Sequence, residues 1–224
     1  MNTITSAVDR IAAANVSTAP RHYGLRSVLG FAAWTRLPEA VRVRFGEPPA
    51  AVDYVGEFDI VRASRLGRLV ALVCQVLGTP VVPRTGLRVP AIVHVGPTRC
   101  GVAWNREYRW PNGHACLVRS TKIINSRGGL VERLPARLCM PLNVYEQRGV
   151  LHFVSRGYYF DFGRRANGER IKVPLPALLS PGTTHVEHFD EADGWFRFTM
   201  TVTHPFFGEM FYQTGRFRAA GEQR

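Results

Sequence analysis

Lysine is nearly absent from this chain. Of its 29 Lys+Arg residues only Lys122 and Lys172 are lysine, against 17 Asp+Glu, for a net charge of +12. Nucleic-acid-binding tails usually mix the two cations, and a chain-wide Arg bias also follows from GC-rich coding, so the charge alone does not name a polyanion partner. The charge is also uneven: residues 1–90 carry +5, residues 91–165 carry +8 and residues 166–224 carry −1. Cysteine is scarce as well. Cys74, Cys100, Cys116 and Cys139 form no C-x-x-C pair and read as reduced, mostly buried thiols. No basic start followed by an apolar run opens the chain, so the expected compartment is the cytoplasm. The longest mostly apolar run, Leu69 to Val82, is short and broken by Gln75, Gly78 and Pro80, which excludes a helical membrane span there. Also missing are a G-x-S-x-G elbow, a phosphate-binding G-x-x-x-x-G-K-[ST] loop, a G-x-G-x-x-G turn and an H-E-x-x-H helix.

What is present is a core. At 46% hydrophobic residues over 224 positions, the chain can bury one large domain, which excludes wholesale disorder. A loosely ordered tail is expected over residues 1–28 and a single domain over 29–220. Phe31 to Phe45 reads as a helix interrupted at Leu37-Pro38, and Asp53 to Val61 as a strand. Between Ala63 and Leu77, Leu66, Leu69, Val70, Val73, Cys74 and Leu77 recur at three- and four-residue spacings, an amphipathic helix flanked by Arg62, Arg65 and Arg68. From residue 89 the pattern becomes β-rich runs at 89–96, 99–110, 114–125, 129–134, 138–147, 150–162, 169–173, 184–189, 195–204 and 210–218. Turn residues such as Asn112-Gly113 and Gly128-Gly129 separate them. The expected fold class is therefore α+β: an N-terminal helix, a strand and an amphipathic helix packed on a long, strongly curved antiparallel meander, half-barrel to barrel-like. The helix at 63–77 is the expected filler of its concave face, and any space left over is a ligand pocket.

Candidate chemistry follows from strand parity. On 99–110, Cys100, Val102, Trp104, Tyr108 and Trp110 share one face, and Arg106 sits among them. A guanidinium there needs a partner. Two remain open: Glu132, itself placed between Leu130 and Leu134 on an apolar face, or the anionic head of a ligand. On 195–204, Phe196, Phe198, Met200 and Val202 alternate with polar residues and mark core or pocket wall, continuing by parity to His204. His185-Val186-Glu187-His188 resembles a metal motif, but on a strand residues three apart face opposite sides, so no metal is expected from that spacing. The aromatic cluster Tyr158, Tyr159, Phe160 and Phe162 beside Arg164-Arg165 reads as sheet packing with a basic turn rather than a nucleic-acid groove.

Three stretches taken in order carry a family resemblance: Leu37-Pro38-Glu39-Ala40-Val41-Arg42-Val43-Arg44-Phe45-Gly46, Trp104-Asn105-Arg106-Glu107-Tyr108, and His204-Pro205-Phe206-Phe207-Gly208 through Tyr212 and Gly215. With Gly129-Leu130-Val131-Glu132-Arg133 and Val173-Pro174-Leu175-Pro176 between them, the chain resembles the bacterial family called domain of unknown function 4166 over about residues 30–218. The resemblance implies a stand-alone member of a family also found fused behind a saccharopine-dehydrogenase-like oxidoreductase region. It carries over no activity and no catalytic residue, and it departs from the family pattern at Phe45, where members often have His.

The first functional expectation is a non-catalytic module that binds an apolar or amphipathic, lipid-like molecule with an anionic head. Its candidate ligand-binding residues are Trp104, Arg106, Tyr108, Glu132, Arg133, His204 and Tyr212; no cofactor is expected. The second is a small enzyme or oxidoreductase accessory acting on acyl substrates, with an oxidoreductase partner, using Glu132, His204 or Tyr212 as acid/base groups. The third is a basic protein resting on anionic membrane through Arg62, Arg65 and Arg68.

Overall fold

A computed structural model describes residues 24–46, 51–76, 82–165 and 169–221. Three short helices open it: α1 (Leu25–Leu29), α2 (Phe31–Arg36) and α3 (Glu39–Phe45). Leu37-Pro38 separates the last two because Pro38 has no amide proton to donate and Leu37 before it is extended. The expected tail at 1–28 lies mostly outside the described residues. Its last described part contributes α1, with Leu25 fully buried.

Among the described residues, twelve antiparallel strands follow. They are β1 (Val52–Ala63), β2 (Gly86–Thr98), β3 (Gly101–Arg109), β4 (Ala115–Ile124), β5 (Leu130–Arg133), β6 (Leu138–Gln147), β7 (Val150–Ser155), β8 (Tyr158–Arg164), β9 (Arg170–Leu175), β10 (Thr183–Asp190), β11 (Trp195–His204) and β12 (Gly208–Ala219). A fourth helix, α4 (Arg65–Val76), lies between β1 and β2. In space the order is β5-β4-β3-β2-β1-β12-β11-β10-β7-β6, and β6 pairs back onto β5. Ten strands thus close into a barrel, as a strongly twisted sheet of this length tends to do, while β8 and β9 extend beyond the closure at β6. The α+β curved meander expected from the sequence is what forms. Among the described residues no helix is long and apolar enough to cross a membrane.

The run at 150–162, read as one strand, is two. Gly157 has φ +100, a conformation that breaks the ladder. There β7 ends as a barrel stave, and β8 leaves with β9 as a hairpin attached to β6 only at Leu138 and Cys139. At Gly56 the backbones of β1 and β12 approach so closely that a Cβ would collide with the Arg216 carbonyl oxygen, so only glycine fits.

The register assigns the two barrel ends. The end of β1 leads into α4 and pairs with the start of β12, so α4, the 205–207 turn, the 110–114 turn and the β8–β9 hairpin lie at one end. The turns at 99–100, 125–129, 148–149 and 191–194 lie at the other, where α1 and α2 contact β6 and α3 contacts β10. The element that fills the barrel interior is α3 rather than the helix at 63–77. Val41 and Phe45, one turn apart, are buried, and the Phe45 ring stacks on Trp104 at 5.2 Å and edges onto His188 at 4.8 Å. Helix α4 instead lies across the opposite end, with Leu69 and Leu72 more than half exposed. A stripe with the right period finds an apolar surface, but period alone does not say whether that surface is the barrel's inside or its rim.

Candidate functional site

Between the α3 floor and the α4 end the barrel encloses a cavity of about 350 Å³. The alternation of β11 builds one wall: Phe196, Phe198, Met200 and Val202 all line it. Leu134, Leu138, Leu142 and Phe153 line it as well. Toward the α4 end the walls are Leu69, Val70, Leu175 and Leu179, of which Leu69 and Leu179 are 58% and 70% exposed and so form its mouth.

The polar groups sit deeper. Trp104, Arg106, Lys122, Glu132 and His188 all line the cavity. Lys122 Nζ lies 3.2 Å from Glu132 Oε2 across the β4–β5 ladder, which places the two residues directly opposite each other. Lys122 also lies 5.4 Å from the Trp104 ring and 5.6 Å from the Phe153 ring. The Arg106 guanidinium is 5.7 Å from the Phe198 ring, and its Nε is buried without a hydrogen-bond partner. Trp104 Nε1 and His188 Nδ1 are buried and unpartnered as well. Buried polar nitrogens left this way are rare, because each forfeits its hydration for nothing.

The electrostatics are lopsided. Burial would raise the Glu132 carboxyl, but Lys122 and Arg106 outweigh it and hold the group below its ordinary range, so it is ionised. Burial and the neighbouring Arg106 lower the Lys122 ammonium, while Glu132 pulls it back up. Burial, then Arg44, Lys122 and Arg106, push His188 well below its ordinary value. Two cations therefore share one carboxylate on the cavity wall, beside a neutral imidazole.

The expected Arg106–Glu132 contact does not form: the cation against Glu132 is Lys122, with Arg106 acting at longer range. Strand parity does not single out Lys122. The signal for it is compositional, one of two lysines in a chain that otherwise uses arginine, together with the 125–129 turn that sets it opposite Glu132. Tyr108 is fully buried, stacked on Phe58 and donating to Gln213 Oε1 at 3.0 Å. Arg133 points away from Glu132 by parity and faces Asp161 at 3.8 Å. His204 is buried, stacks on Phe207 and accepts from the Phe206 amide at Nδ1. Tyr212 packs under Arg62 at 5.2 Å. Of the seven candidates the cavity wall thus holds Trp104, Arg106 and Glu132. The acid/base trio Glu132, His204 and Tyr212 does not converge, since neither of the last two lines the cavity.

Comparison with protein families matches the model described as "Domain of unknown function (DUF4166)" over residues 37–217. The chain belongs to this family. The match runs from the residue before Pro38 to near the end of β12, so the floor helix α3, the cavity residues and all of the barrel staves but the last two residues of β12 fall inside the DUF4166 region. No curated protein and no solved structure gives a match.

Proposed function

We propose that this DUF4166 domain binds one amphiphilic molecule, a single acyl-like tail with an anionic head, inside its barrel. The observation that carries the reading is Arg106. A guanidinium whose Nε has no partner, beside an indole N–H in the same condition and a lysine that already shares the one nearby carboxylate, supplies donors and positive charge for a carboxylate or phosphate. The apolar walls above them suit a hydrocarbon tail running toward the mouth. A volume of about 350 Å³ falls within the usual range for small-molecule sites, roughly 300–1,000 Å³. The head enters first and the tail follows, because the cations lie on the α3 side and the apolar rim on the α4 side.

Native mass spectrometry of protein purified from its own host, followed by solvent extraction, tests this. One anionic amphiphile per chain is the expected result. Adduct-free protein that also takes up no long-chain carboxylate on incubation overturns it.

A second reading, that the mouth rests on anionic lipid, is favoured by the rim itself. Leu69, Leu72, Leu178 and Leu179 are exposed there, and Arg65 and Arg68 are exposed on α4, a pairing suited to an interfacial surface. Arg62 contributes less, because it is engaged with Glu209 at 2.6 Å. Flotation with anionic and neutral vesicles at low and high salt decides this reading. Failure to float with anionic vesicles at low salt removes it.

A further inference from the structure

On the outside of the barrel, three side chains from two neighbouring staves converge. Cavity residues Phe153, Val186 and His188 alternate with His152, His185 and Glu187 along β7 and β10, so the second set faces outward. The β7–β10 ladder places Glu187 directly opposite His152 and His185 opposite Val154. His152 Nδ1 lies 3.1 Å from His185 Nε2 and 3.4 Å from Glu187 Oε1, and one atom from each of the three residues falls within 4.8 Å of the others. The spacing within His185–His188 does not make this site, since His188 points into the cavity; the third ligand comes from the adjacent strand.

We propose that His152, His185 and Glu187 form a divalent-metal site of the zinc class, with the remaining position taken by water or an external ligand. The ligand set is two imidazoles and one carboxylate, which suits zinc and its borderline neighbours far better than calcium or magnesium. The distances agree with that chemistry. Tetrahedral zinc with bonds of about 2.0–2.1 Å separates adjacent ligand atoms by roughly 3.3–3.4 Å, and two of the three separations are 3.1 and 3.4 Å. The site is also supported from behind. The His152 ring stacks on Tyr145 at 4.7 Å and 10°, a contact that holds the imidazole in one orientation. His152 is buried, while His185 and Glu187 are partly exposed, so an ion has a solvent path to a pre-arranged nitrogen. Such a site would pin β7 to β10, the stave pair formed where the chain returns from the β8–β9 hairpin.

The test uses the full-length, tag-free protein, stripped with a chelator, titrated calorimetrically with Zn2+ and separately monitored by the visible absorption of added Co2+. One equivalent binding at micromolar Kd or tighter, with the intense visible bands of four-coordinate cobalt, is expected. H185A and E187Q should each weaken zinc by at least about tenfold and abolish those bands, whereas H94A, removing the histidine that faces Asp53 and Glu107 elsewhere on the barrel, should leave both unchanged. Both test substitutions are at partly exposed positions, and far-ultraviolet circular dichroism confirms that the variants fold. Absence of stoichiometric binding below about 100-fold molar excess of zinc, or an H185A protein that binds zinc within threefold of the parent, overturns the proposal.

Discussion

Lys122 and Glu132 face each other across the β4–β5 ladder inside the barrel, Nζ to Oε2 at 3.2 Å, and Arg106 stands near the same carboxylate with its Nε unpartnered. One acid thus serves two cations in a chamber whose remaining walls are mostly apolar. A buried pair of this kind adds little net stability over apolar residues of the same shape, yet breaking it leaves an uncompensated charge. On the proposed reading, this surplus charge selects an anionic head.

Replacing Arg106 separates function from stability. R106M removes a desolvated cation without opening a large void, so the melting temperature of the ligand-free protein should hold or rise. Binding of an anionic amphiphile should weaken by roughly ten- to a hundredfold, corresponding to about 1.5–3 kcal/mol for a charge-assisted hydrogen bond. Calorimetry on both proteins checks it. A parallel loss of stability and binding would mean that Arg106 is structural.

Glu132 should behave in the opposite way. E132Q leaves Lys122 and Arg106 without their shared carboxylate and should cost about 3–5 kcal/mol by denaturant unfolding. The double variant K122M/E132L should recover most of that loss. The pH dependence has a definite sign. The folded Glu132 pKa lies below its ordinary value of 4.5, so its contribution is fully present above that value and is lost as pH falls through the lowered folded value. The parent protein should therefore lose more stability on acidification than E132Q does.

Phe45 carries the floor. Its ring packs on Trp104, Phe153 and His188, and F45A should destabilise the fold by about 3–5 kcal/mol. Unfolding that costs under about 1 kcal/mol would show that α3 is not part of the barrel's core.

On the proposed reading, a ligand enters past the rim. Leu69 is 58% exposed while lining the cavity mouth, so L69E should change stability by no more than about 0.5 kcal/mol. It should slow association of an anionic amphiphile, a carboxylate now standing where a like-charged head must pass. Stopped-flow fluorescence with an anionic environment-sensitive probe measures it; an unchanged association rate would place the entry route elsewhere.

The parity of 99–110 and 195–204 makes two cavity walls legible in the sequence, because period-two alternation maps directly onto inside and outside of a barrel. Arg106 and Glu132 are legible for the same reason. Their relation is not, since which cation meets Glu132 depends on the register of β4 and β5, and register is set by the turn at 125–129 rather than by composition. The break at Gly157 is hidden inside an unbroken β-rich run, where a single glycine looks the same whether it bulges a strand or ends it. The plugging role of Phe45 is not legible at all. It arises from barrel closure, the pairing of β5 with β6, which brings Trp104 and Phe153 to one ring that three short helices then reach from below. The outward cluster of His152, His185 and Glu187 likewise depends on two strands 33 residues apart becoming neighbours.

The most direct measurement compares hexadecanoate with hexadecanol, titrated calorimetrically into the delipidated protein at neutral pH. The two share a tail and differ in head charge, so the difference between them reads the interior cations alone. Hexadecanoate binding one per chain, at least about tenfold tighter than the alcohol, with that preference lost in R106M, is the expected result. Equal affinity for the two, or no binding of either, would contradict an anion-headed ligand held by Arg106.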